Sequence, residues 1–197
     1  MKASTYIHYH VCILLLASQA SMAEWYAHEF DVMGTRASIE LWSDSKVNAQ
    51  DSFSIVEAEM RRIESVMSSY IEGSELSAVN RLSAYQPLNL TSELYQLIQK
   101  SLYFSGISNG AFDITYVSVG HLYNYRDRIK PDDQHIQSAL VLVDWQSLIL
   151  NKTTQALTFT KDNMQINSGG IAKGYAVDRS VELLVGRGVV SAIVSAG

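Results

Sequence analysis

Apolar positions alternate with polar ones along three stretches of the chain and recur every three or four residues along most of the rest, so strands and helices are interspersed. From Tyr26 to Leu41 the pattern predicts a β-hairpin: Ala37, Ile39 and Leu41 alternate with Ser38 and Glu40, and Met33-Gly34-Thr35 forms the turn. Val56, Met60, Ile63 and Met67 then fall on one helical stripe, with Asp44 and Ser45 placed to cap it and Arg61, Arg62 and Glu64 on its wet face. A polar turn through Gly73 leads to a short helix over 74–82. Thr91 caps a third helix in which Leu94, Leu97, Ile98 and Leu102 share a face, closed by Gly106 or Gly110. A charged loop with Pro131 precedes a short amphipathic helix from His135 to Leu140. Residues 146–150 and 156–160 read as a second hairpin across residues 151–154. Hairpins and helices without a βαβ rhythm predict an α+β fold, a mainly antiparallel sheet with helices packed on it.

The pattern changes most sharply at residues 164–184. Met164 and Ile166 alternate with Gln165 and Asn167 as in a half-buried strand, and Ile171, Tyr175, Val181 and Leu184 then recur at helical spacing. Gly169 and Gly170 stand at the joint, where the lack of a side chain permits close approach and unusual dihedrals. The helix behind them presents unpaired N–H groups with a partial positive charge, a ready site for an anion. Lys173 adds a full charge in the first turn, where a cation opposes the helix dipole unless something negative is bound. The block is neither a Walker A loop nor a Gly-x-Gly-x-x-Gly fingerprint, and a plain turn is its simplest reading in isolation. The final run, residues 189–197, reads as a buried strand. A strand of that kind needs neighbours, so the chain is expected to be the N-terminal portion of a longer, here incomplete, domain.

Composition adds a compartment and some exclusions. Lys2, the apolar run from Val11 to Ala17 and the small residues up to Ala23 have the form of a secretory signal peptide over residues 1–23, too short to span a bilayer. Removing those 23 residues from 197 leaves 174 for one domain, residues 24–197, without a cysteine, and so without disulfide or thiolate chemistry. A formal charge of −5 argues against nucleic-acid binding, and no later stretch predicts a transmembrane segment.

His28, His121 and His135 lack the spacing of a metal pair, and no hydrolase elbow or zinc-protease motif is present. Asp113 lies between apolar neighbours, where a carboxylate needs a partner, so it is either a structural cap or a ligand contact. Tyr70, Phe112, Tyr116, Tyr123 and Tyr125 could pack in the core or stack on a planar ring.

Four blocks in order carry a resemblance: residues 30–35 (FDVMGT); Met67-Ser68-Ser69-Tyr70 followed by residues 74–80; residues 110–115 (GAFDIT); and the stretch from Gly169 to Asp178. Together they resemble the flavin transferase (ApbE) family, the FAD:protein FMN transferases. Where that family usually has an aspartate before its glycines, this chain has Asn167. The resemblance implies that FAD, as substrate, lies across Met33, Tyr70, Ala111, Phe112, Asp113, Asn167 and Lys173. It also implies a magnesium ion (Mg2+) with the Gly170 carbonyl as the one ligand from this chain. The implied reaction moves FMN from FAD to a Thr or Ser hydroxyl of a target flavoprotein of a membrane redox complex, with release of AMP. No residue identifies itself as the general base. The implied location is the periplasm, at the inner membrane. The alternatives are an FAD pyrophosphatase that yields FMN and AMP, and a non-catalytic flavin-binding module.

Overall fold

A computed structural model describes residues 22–124 and 127–197. The leader expected over residues 1–23 lies outside the described residues apart from its last two, as does Tyr125. The hairpin forms as the alternation predicts, from β1 (Glu24–Val32) and β2 (Thr35–Ser43), with Val32 opposite Thr35. Its loop is therefore the two residues Met33 and Gly34, both at positive φ (54° and 71°), the backbone of a type I′ turn. β6 (Ala192–Ala196) joins β2 antiparallel, giving the order β1-β2-β6. A second antiparallel sheet, β3-β5-β4, comprises β3 (Leu88–Asn89), β4 (Leu148–Asn151) and β5 (Ala156–Phe159). The architecture is α+β with antiparallel sheets throughout the described residues.

Helix α1 (Lys46–Met67) lies on the first sheet and buries Val56, Met60, Ile63 and Met67 as the stripe predicts, with the Ser45 side chain capping its start. α2 (Glu75–Leu82) is capped by Ser74, and α3 (Ser92–Ile107) by Thr91, whose backbone and hydroxyl both donate to the Glu75 carboxylate. Gly110 closes α3 at φ 80°, its amide reaching the Ser105 carbonyl at 2.8 Å. A short helix, α4 (Val117–Gly120), follows a 3-10 turn over Ile114–Tyr116. α5 (Asp133–Leu140) starts earlier than the apolar pattern marks, because Asp132 caps it through the His135 amide.

Three expectations need correction. Residues 164–167 form no strand: their backbone groups pair with side chains and a loop instead. Asn80 brackets Ile166, accepting from its N–H at 2.8 Å and donating to its carbonyl at 3.0 Å, while Ser118 bonds both polar groups of Gln165. α6 (Ala172–Gly186) buries Ala172, Ala176, Ser180 and Leu184, whereas Val181 is 43% exposed. Small residues spaced by four face inward because α6 packs closely on α1, so the largest apolar side chains do not mark its buried face. β6 is not buried either: among the described residues it lies at the edge of its sheet with Ile193 57% exposed, and Val190, which precedes it, is 82% exposed.

Candidate functional site

The hairpin tip, the C-terminal end of α1 and the start of α6 meet around one cleft of about 920 Å³. Met33 enters it from the tip. A bulky residue at φ 54° is strained, at a cost of about 1–2 kcal/mol, and the fold sustains it because the Glu64 carboxylate accepts the Met33 amide at 2.8 Å. Glu64 therefore does more than occupy the wet face of α1: it fixes the turn and lines the cleft. Tyr70, 91% exposed on the turn after α1, forms the rim, and His121 and Tyr123 stand in the lining as well.

The glycine turn forms the cleft floor. Ser168 anchors it to α1 by donating its hydroxyl to the Met67 carbonyl at 2.7 Å. The Ser168 carbonyl then accepts the amides of Ile171 (2.9 Å) and Ala172 (2.7 Å). The amides of Gly170, Lys173 and Gly174 have no protein acceptor among the described residues, so the start of α6 keeps the open donors that the sequence promises. Lys173 lines the same cleft and has no carboxylate partner among the described residues. Neither Gly169 nor Gly170 has positive φ. Their requirement is space: a Cβ on Gly169 would meet Asn167 Oδ1 at 2.8 Å, and one on Gly170 would meet the Phe112 ring at 3.1 Å.

Asn167 is buried and organises the turn. Its Oδ1 accepts the Gly169 amide at 2.7 Å and the Tyr116 hydroxyl at 3.3 Å, and its Nδ2 donates to Ser69 Oγ at 2.7 Å. It also separates the main cleft from a second cavity of about 350 Å³, lined by Ala111, Phe112, Asp113, Tyr116 and Gly170. The predicted site residues thus divide: Met33, Tyr70 and Lys173 belong to the main cleft, Ala111, Phe112, Asp113 and Gly170 to the second, and Asn167 to both.

Asp113 is a structural cap. Its Oδ1 accepts the Thr115 amide (2.8 Å) and hydroxyl (2.6 Å), and its Oδ2 accepts the Trp145 amide at 3.1 Å. It remains in the wall of the second cavity. The Gly170 carbonyl accepts no protein hydrogen bond among the described residues and so is free to bind a cation. No cluster of three or more His, Cys, Asp or Glu among the described residues is arranged to hold a metal ion.

Behind the turn, α6 is tied to α1 and α3 by charge. Arg62 bonds both Glu59 and Glu93 through paired N–H groups, and the Tyr175 hydroxyl donates to Glu93 at 2.7 Å. The Arg62 hydrogen bonds hold both glutamates below their ordinary pKa of 4.5. Burial, with Glu93 alongside, pushes Tyr175 up to about 12. Glu64 and Ser69 line the cleft without having been expected there from the sequence. The signal that finds Ser69 is its position beside Tyr70 in an ordered motif.

The fold and the cleft define the class: an α+β protein in which open amides, a lysine without a carboxylate partner among the described residues and accessible aromatic rings surround one cleft of about 920 Å³. The chain belongs to the ApbE family, whose sequence model matches residues 33–197. It is similar to a relative named FAD:protein FMN transferase from Treponema pallidum, 28% identical over 203 residues, with 95% of this chain and 55% of the relative covered. A Klebsiella pneumoniae relative of the same name is 25% identical over 174 residues, covering 87% and 54%. Among solved structures, the ApbE protein of Thermotoga maritima superposes with a TM-score of 0.80 at 26% identity, over 88% of this chain and 57% of that one. The flavin transferase ApbE from Vibrio cholerae also gives 0.80, at 20% identity and over 89% and 58%. The chain spans about half the length of the curated relatives it matches.

Proposed function

We propose that this chain binds FAD in the main cleft and takes part in transferring its FMN moiety to a Thr or Ser hydroxyl of a target flavoprotein, with release of AMP. The observation that carries this reading is the convergence of Met33, Tyr70, Asn167 and Lys173, far apart in sequence, on one cleft at the start of α6, where the Lys173 amide is open. The names of the relatives support the choice of substrate.

In the reaction, the acceptor oxygen forms a bond to the flavin-side phosphorus while the bond from that phosphorus to the bridging oxygen breaks. The bridging oxygen leaves with AMP, and the hydroxyl proton passes to a base. Such a displacement needs neutralised oxygen charge and in-line positioning more than it needs a protein nucleophile. The Lys173 ammonium and the open Lys173 amide, on the wall of the main cleft, supply fixed positive potential for the pyrophosphate. The free Gly170 carbonyl fits a magnesium ligand. Magnesium takes six oxygens and commonly draws most of them from substrate phosphates and water, so one carbonyl, on the wall of the adjoining second cavity, is a fitting contribution. When bound, the ion would supply charge neutralisation at the pyrophosphate.

Residues 1–23 support export. The resemblance to the family adds the periplasm at the inner membrane as the location and a flavoprotein of a membrane redox complex as the recipient. The test is incubation of the chain with FAD, magnesium and a threonine-bearing acceptor domain. The expected result is flavin fluorescence that stays with the acceptor on a denaturing gel, with one AMP released per flavin moved. AMP release without labelling would replace this reading with a pyrophosphatase. FAD binding with neither product would leave a flavin-binding module.

A further inference from the structure

We propose that Ser69 is an anion-binding donor of the main cleft, and that the Asn167 carboxamide sets the direction of its hydroxyl. The proposal rests on the reading above for the ligand's identity but not for its chemistry, which is a pyrophosphate oxygen.

The orientation of the Asn167 amide is fixed by its partners. Gly169 N–H and Tyr116 O–H both point at Oδ1, so the other end of the group, Nδ2, is the one that meets Ser69 Oγ at 2.7 Å. Nδ2 can only donate, which makes Ser69 Oγ the acceptor. The hydroxyl hydrogen of Ser69 must then go elsewhere, and among the described residues it has no acceptor. Ser69 stands on the wall shared by the main cleft and a neighbouring cavity of about 580 Å³, on the same cleft as Lys173. A hydroxyl hydrogen without a protein acceptor among the described residues, on the wall of a cleft that also holds Lys173 and its open amide, is a donor for an anion.

The residue type at position 167 decides this polarity. A carboxylate there would still accept the Gly169 amide but would draw the Ser69 hydrogen to itself, removing the donor and adding a negative charge. Asn167 is thus a positioning residue that acts through Ser69.

The test is affinity for FAD and for inorganic pyrophosphate, measured without divalent metal so that only the chain's own groups act, for the full chain and for Ser69→Ala, Ser69→Thr, Asn167→Asp and the Ser69→Ala/Asn167→Asp pair. Thermal unfolding of each variant verifies that it is folded. Ser69→Ala is expected to weaken both ligands about tenfold, the loss of one hydrogen bond to a charged group, and Ser69→Thr to keep the affinity. Asn167→Asp is expected to weaken them further, and in that background Ser69→Ala should change nothing, because the donor is already turned away. Folded Ser69→Ala with unchanged affinity, or an equal effect of Ser69→Ala in both backgrounds, overturns the inference while leaving the proposed function in place. Pyrophosphate binding with the expected pattern but no FAD binding would overturn the proposed function and uphold the role of Ser69. Binding of neither ligand by the unmodified chain would overturn both.

Discussion

At the residue scale, the site is built by residues in uncomfortable surroundings. Met33 adopts a left-handed backbone that asparagine or glycine would adopt more easily, in a turn held by Glu64. If its side chain is there for the ligand, Met33→Asn should leave stability to chemical denaturation unchanged, or raise it by about 1 kcal/mol, while FAD affinity falls several-fold. Equal loss of stability and affinity would instead make Met33 a packing residue. Gly169 and Gly170 are constrained to different degrees. Gly169→Ala forces Asn167 away from its bond to the turn amide, whereas Gly170→Ala displaces only a ring edge. Urea unfolding should therefore show a cost of about 1–3 kcal/mol at Gly169 and a smaller one at Gly170. The pairing of Asn167 with Ser69, 98 residues away, has no periodic signature, which is why the sequence did not reveal it.

At the element scale, what periodicity captured and what it missed have one physical origin. The stripe on α1 was legible because large apolar residues fill its buried face, and the caps at Ser45 and Thr91 were legible because their hydrogen bonds are local. The buried face of α6 was not, since close approach to α1 selects Ala172, Ala176 and Ser180. Residues 164–167 imitate a strand because burial of alternate side chains is the same whether the backbone pairs with a sheet or with Asn80 and Ser118. The position of α6 also depends on Arg62, which joins glutamates of α1 and α3, with Tyr175 of α6 on the second of them. These groups are partly exposed, so Arg62→Met should cost only about 1–2 kcal/mol at neutral pH. The two glutamates have depressed pKa values in the folded state, so the stability they contribute is present above pH 4.5 and is lost as pH falls through their folded values. Unfolding curves of the unmodified chain should weaken across that acid range, and those of Arg62→Met should be flatter there. Parallel curves would mean that Arg62 does not control these carboxyls.

At the scale of the whole molecule, two antiparallel sheets and the helices packed with them bring four sequence blocks to adjoining cavities, with Asn167 on the wall between two of them. The order of those blocks was legible in the sequence, as was the α+β class. Their division between two cavities was not, because spacing along the chain carries no information on which wall a residue lines. Anion binding in the main cleft depends most directly on Lys173, a cation without a carboxylate partner among the described residues, at the start of a helix with open amides. A titration of FAD fluorescence against the unmodified chain and Lys173→Ala tests it. The variant is expected to remain folded and to bind FAD about ten- to a hundredfold more weakly, the loss expected for a charged group facing a phosphate. Superimposable titration curves would contradict it.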